Sequence, residues 1–122
     1  MAAVASAHVQ SATGEQSDVH EAALLDWLAC AGGGWEHSAT RAARMLTGGE
    51  IDRVVALGTA GHVLDFDDTF RPGVAHLSAP TAPVALTLGA QLDRSVKDVV
   101  DAYAVGFEAM GALSRGCGAA LY

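Results

Sequence analysis

The side chains best equipped for chemistry lie in one stretch, His62-Val63-Leu64-Asp65-Phe66-Asp67-Asp68-Thr69, with His76 seven residues further on. Four carboxylate or hydroxyl groups fall within five residues, with an imidazole on either side. Such a set can move protons, because carboxylates and imidazoles are the usual general acids and bases. It can equally be tied up in hydrogen bonds and ion pairs, with Arg71 and His76 near enough in sequence to join, or be a solvated acidic helix end. Helical spacing would put His62, Asp65, Phe66 and Thr69 on one face, with Asp68 beside Asp65 and Asp67 pointing elsewhere. Three carboxylates at a helix C-terminus oppose the helix dipole, a cost that calls for a compensating role. His62, on an apolar helix face, reads first as a core histidine. His76, in a Pro/Gly loop, is the stronger catalytic candidate.

The elements that must position these groups read as helices. Residues 1–17 form a small-residue N-terminal arm carrying His8. Asp18 is the expected cap of a first helix, with Glu21 as its capping-box partner. Leu24, Leu25 and Leu28 form its apolar stripe, His20 is exposed, and Gly32-Gly33-Gly34 ends it by supplying positive φ. A second helix spans about Trp35 to Leu46, with Arg41 and Arg44 solvated. A third begins near Glu50, with Ile51, Val54, Val55, Gly58, Thr59 and His62 at helical spacing. Its Gly58-Thr59-Ala60-Gly61 segment offers a smooth surface to a close neighbour. This helix is expected to run through the acidic cluster and break at Arg71, ahead of Pro72. Pro80 and Pro83 fit the first turn of a fourth helix, which closes near Asp93. Ser95, with Asp98, caps a fifth helix that carries Val96, Val100, Tyr103, Phe107 and Met110 on one face and ends at Gly116 and Gly118. With no internal repeat and no convincing strand pattern, the chain reads as a small all-α domain of about five helices over residues 18–122.

Composition removes several classes of function. A net charge of −7 lacks the basic footprint of a nucleic-acid binder. No apolar run is long enough for a membrane span, and no secretory signal opens the chain, so a cytoplasmic protein is expected. Cys30 and Cys117 are far apart and read as buried free thiols. Asp65-x-Asp67-x-Thr69 matches the nucleophile motif of haloacid-dehalogenase-type phosphatases, but that motif closes a β-strand and the lead-in here is helical. Asp65-x-Asp67-Asp68 matches the proton-donor motif of class II terpene cyclases, but 6% aromatic residues cannot line their cavity. A metal cage would need further ligands near the cluster, so no metal and no cofactor are expected.

The longer run Gly58-Thr59-Ala60-Gly61-His62-Val63-Leu64-Asp65-Phe66-Asp67-Asp68-Thr69, followed by His76-Leu77-Ser78-Ala79-Pro80 and Pro83-Val84-Ala85-Leu86, resembles the MmgE/PrpD family, which includes 2-methylcitrate dehydratase and cis-aconitate decarboxylase. Glu21-Ala22-Ala23-Leu24-Leu25-Asp26 and Ala102-Tyr103-Ala104-Val105-Gly106-Phe107-Glu108 extend the likeness over roughly residues 20–122. The resemblance implies the N-terminal part of a helical domain and metal-independent lyase chemistry, loss of water or CO2 from a small carboxylic acid. It implies catalytic roles for Asp65, Thr69 and His76; His62 and Arg71 are the expected substrate-binding neighbours, and Asp67 and Asp68 structural partners. The sequence departs from the family at Leu57, where Asn is usual, at Leu77, where Pro is usual, and in a shortened stretch from Thr47 to Val55. The family continues beyond the equivalent of Tyr122 with helices and a lid that carry the basic substrate-binding groups. Three readings follow: a small subunit or split half completed by a partner chain; a stand-alone homo-oligomeric enzyme doing proton-transfer or isomerase chemistry; and a non-catalytic helical interaction module.

Overall fold

The structure, a computed structural model, describes residues 18–46 and 48–121. The expected N-terminal arm, Thr47 and Tyr122 lie outside the described residues. Among the described residues there are five α-helices: α1 (Asp18–Gly34), α2 (Ser38–Arg44), α3 (Glu50–His62), α4 (Ser78–Gln91) and α5 (Val96–Leu121). A 3-10 turn occupies Arg71–Gly73, and an isolated bridge pairs Phe70 with Ala75. No strand occurs among the described residues, so the all-α reading holds. Among the described residues no helix is long and apolar enough to cross a membrane.

The core is made by helices brought close through small residues. On α1 the buried residues are His20, Leu24, Trp27, Ala31 and Gly34, at spacings of four and three. Leu25 and Leu28, expected in the stripe, are exposed instead. His20, expected in solvent, is buried and donates from Nε2 to Glu108 Oε1 at 2.9 Å, while its ring meets Phe107 edge-on at 5.4 Å. The indole of Trp27 lies directly over Gly61 of α3, where a methyl group would collide with the ring. Gly34 sits against the Ala60 carbonyl just as tightly. The three glycines at the end of α1 therefore remain helical, and Gly34 serves close approach rather than a left-handed stop; among the described glycines only Gly49 has positive φ.

The Gly58-to-Gly61 segment is the smooth surface that the sequence suggested, and it serves two neighbours. Ala60 and Gly61 face α1, while Gly58 approaches Ala79 and Pro83 of α4. Ile51 and Val55, from the expected stripe, are exposed. Pro83 lies beyond the first turn of α4, buried inside the helix. A proline there removes the amide that would have bonded the Ala79 carbonyl, and this is the point where Gly58 lets α3 come near. The Ser95–Asp98 capping box opens α5 as expected: the Asp98 amide donates to Ser95 Oγ at 3.2 Å and the Ser95 amide to Asp98 Oδ2 at 3.3 Å. Tyr103 and Ala104 are buried, but α5 continues past Gly116 to Leu121 instead of ending at the glycines. Both cysteines are free thiols and only half-buried.

Candidate functional site

Helix α3 does not run through the acidic cluster. Its last helical residue is His62, followed by Val63, whose amide still donates to the Thr59 carbonyl. Asp65 then adopts a left-handed backbone, φ 58°. Among non-glycine residues Asp is one of the few that tolerate this region. Ending the helix at His62 relieves the electrostatic cost read from the sequence, because no carboxylate remains in the last turn. The expected shared face of Asp65 and Thr69 is therefore absent.

The turn folds the cluster back onto His62. Asp67, fully buried as a side chain, accepts from His62 Nδ1 at 2.9 Å to Oδ1 and 3.2 Å to Oδ2. A carboxylate can only accept, so the proton in this bond belongs to the ring. His76 approaches the same carboxylate from the other side, with Nδ1 3.3 Å from Asp67 Oδ1. Its other nitrogen, Nε2, lies 3.6 Å from Asp65 Oδ1. The two imidazoles meet edge to face with centroids 4.6 Å apart. Asp65, His76, Asp67 and His62 thus form a chain of alternating carboxylates and imidazoles, running from an exposed end at Asp65 to a buried middle at Asp67.

Asp68 points the opposite way. Its carboxylate accepts from the amides of Leu77 at 2.9 Å and Ser78 at 3.0 Å, the first turn of α4. Those amides have no partner within the helix, and a negative group there is also favoured by the dipole. The next contact inward is a 2.7 Å hydrogen bond between Ser78 Oγ and the Tyr103 hydroxyl. Burial pushes the Tyr103 phenol up to about 12; the Ser78 hydrogen bond opposes this and the nearby Asp68 charge adds to it. Burial also pushes up the Cys30 thiol, with Asp26, Asp67 and Asp68 adding negative charge around it.

Of the residues singled out from sequence, the fold brings His62, Asp65 and His76 together. Thr69 is exposed on the connecting loop. Arg71 is exposed at the start of the 3-10 turn, and among the described residues no ion pair joins it to the cluster. His62 is not a core histidine but half of the pair. The residue that sequence reasoning set aside is Asp67: on a continuous helix it would have pointed away, and only the break after His62 turns it inward. Asp68 takes the structural part expected of it.

The family model of the MmgE/PrpD N-terminal domain matches residues 50–120, more than half of the chain. The chain belongs to the MmgE/PrpD family. No curated protein and no solved structure matches it. The matched span begins at the first residue of α3 and contains the whole cluster, whereas α1 and α2 of this MmgE/PrpD protein precede it.

Proposed function

We propose that the protein contributes acid/base groups to an MmgE/PrpD-type lyase that removes water or CO2 from a small carboxylic acid. The observation that carries this reading is the position of His76, with one ring nitrogen 3.3 Å from Asp67 and the other 3.6 Å from Asp65. A histidine between two carboxylates can take a proton on one nitrogen while a carboxylate compensates the charge at the other. In this reading His76 and Asp65, at the open end of the chain of groups, exchange the proton with the substrate. Asp67 and His62 hold the imidazole in place, and Thr69 and Arg71, exposed on the same loop, are the local donors for a substrate carboxylate.

The same electrostatics call for help from elsewhere. A carboxylate substrate approaching Asp65 and Asp67 is repelled, and Arg71 is the one arginine on this loop. The single lysine, Lys97, is engaged with Asp101 at the exposed start of α5. We therefore assign the remaining cationic groups to a further segment or partner chain. An apolar groove of ≈ 610 Å³ between α4 and α5, lined by Val84, Leu88, Leu92 and Val99, supports association of this kind.

The test uses the assembled protein in D2O, following by NMR the exchange of the carbon-bound proton next to the substrate carboxylate. His76→Ala and Asp65→Asn are expected to lower both exchange and turnover by at least about a hundredfold. Unchanged rates in both variants would overturn the reading. Native mass spectrometry, with and without a candidate partner, reads the assembly; an active homo-oligomer would sink the need for a partner chain.

A further inference from the structure

We propose that His62, Asp65, Asp67 and His76 form a binding site for a divalent transition-metal cation of the zinc class. Each residue offers one donor atom, and the four atoms lie within 4.8 Å of one another. Bonds of 2.0–2.1 Å in a tetrahedral site place ligand atoms about 3.3 Å apart. The pairs centred on Asp67 already come close to that spacing, at 2.9 Å to His62 and 3.3 Å to His76. A cation needs only to draw in Asp65, the most exposed side chain of the four.

The state of His76 is the independent pointer. Its Nδ1 is buried and makes no hydrogen bond, although Asp67 Oδ1 is 3.3 Å away. A buried ring nitrogen without a partner is costly. Asp67 Oδ1 meanwhile faces two imidazole nitrogens at once, an arrangement that a shared cation satisfies better than one shared proton. The donor set selects the class. Two imidazoles with two carboxylates suit zinc and its neighbours, whereas Mg²⁺ and Ca²⁺ favour oxygen ligands throughout. Sequence spacing gave no such cage, because the two histidines join the aspartates only after the chain reverses at Asp65.

Binding displaces the proton that His62 Nδ1 shares with Asp67 and occupies the groups assigned above to proton transfer. A bound cation therefore inhibits the lyase reaction, and this consequence rests on the function proposed above. The binding itself does not.

Titration calorimetry of the chelator-stripped protein with ZnCl2 tests the site without any assay of turnover. One equivalent per chain is expected, with no heat from MgCl2 at the same concentration. His76→Ala and Asp67→Asn are expected to weaken binding by at least about tenfold. Asp65→Asn, at an exposed position outside the core, is expected to weaken it measurably while circular dichroism stays unchanged. His37→Ala, which removes the cap of α2 far along the chain from the cluster, is expected to bind as wild type. Failure of the wild type to take up one equivalent, wild-type affinity in both Asp65→Asn and His76→Ala, or binding of Mg²⁺ in place of Zn²⁺ would overturn the proposal. The lyase reading would survive each of these results, since it is read by proton exchange.

Discussion

The carboxylate of Asp68 holds the amide of Ser78 at 3.0 Å, across ten residues of chain, and so joins the end of the acidic cluster to the start of α4. A second bond, to the Leu77 amide at 2.9 Å, makes the grip two-pronged. Leu77, at the N-cap, supplies no side-chain cap to this helix, so Asp68 does that work from a distance.

Removing the grip destabilises the fold. Asp68→Ala is expected to cost about 1–3 kcal/mol, because it loses a cap and strands amide groups that the helix cannot satisfy. Asp68→Asn keeps one accepting oxygen and is expected to lose less. Urea unfolding followed by circular dichroism measures both, and equal stability of Asp68→Ala and wild type would show the cap to be energetically idle.

Two glycine substitutions should act in opposite directions. Gly61→Ala drives a methyl group into the buried Trp27 ring and is expected to destabilise by about 1–3 kcal/mol. Gly32→Ala meets nothing within 4 Å on a helical, exposed position and is expected to stabilise by about 0.5–1 kcal/mol. The shifts in urea midpoint should therefore differ in sign, and a shared sign would contradict the packing of α1 on α3.

Alkaline stability should report Tyr103. Its folded value is raised to about 12 from an ordinary 10.0, so between these limits the folded state binds more protons than the unfolded one. The sign follows: this contribution is complete below pH 10 and is lost as pH rises toward 12, at up to about 1.4 kcal/mol per pH unit. Tyr103→Phe removes the titration, and the variant is expected to show a shallower fall over the same window. Unfolding free energies measured from pH 9 to pH 12 make the comparison.

The sequence showed what depends on near neighbours and hid what depends on distant ones. The Ser95–Asp98 box was legible because both partners sit within one helical turn. The Gly58–Gly61 surface was legible because lack of bulk is a local property, although which helices use it is not. His20 was misplaced because its partner, Glu108, is 88 residues away. The site was half-visible for a related reason. The types and crowding of His62, Asp65, Asp67 and His76 were plain, but their pairing depends on a single backbone reversal at Asp65. Helical periodicity carried through that point puts Asp67 on the wrong side. The conflict of the carboxylates with the helix dipole, a burden on a continuous helix, is a physical reason for the helix to stop.

Asp67 and Asp68 are consecutive residues with their backs to each other, one clasping the imidazoles and the other the beginning of α4. One peptide plane joins them, so a backbone shift at this point displaces both carboxylates together. A substitution that disturbs the backbone here is therefore expected to loosen the histidine pair and the start of α4 at once.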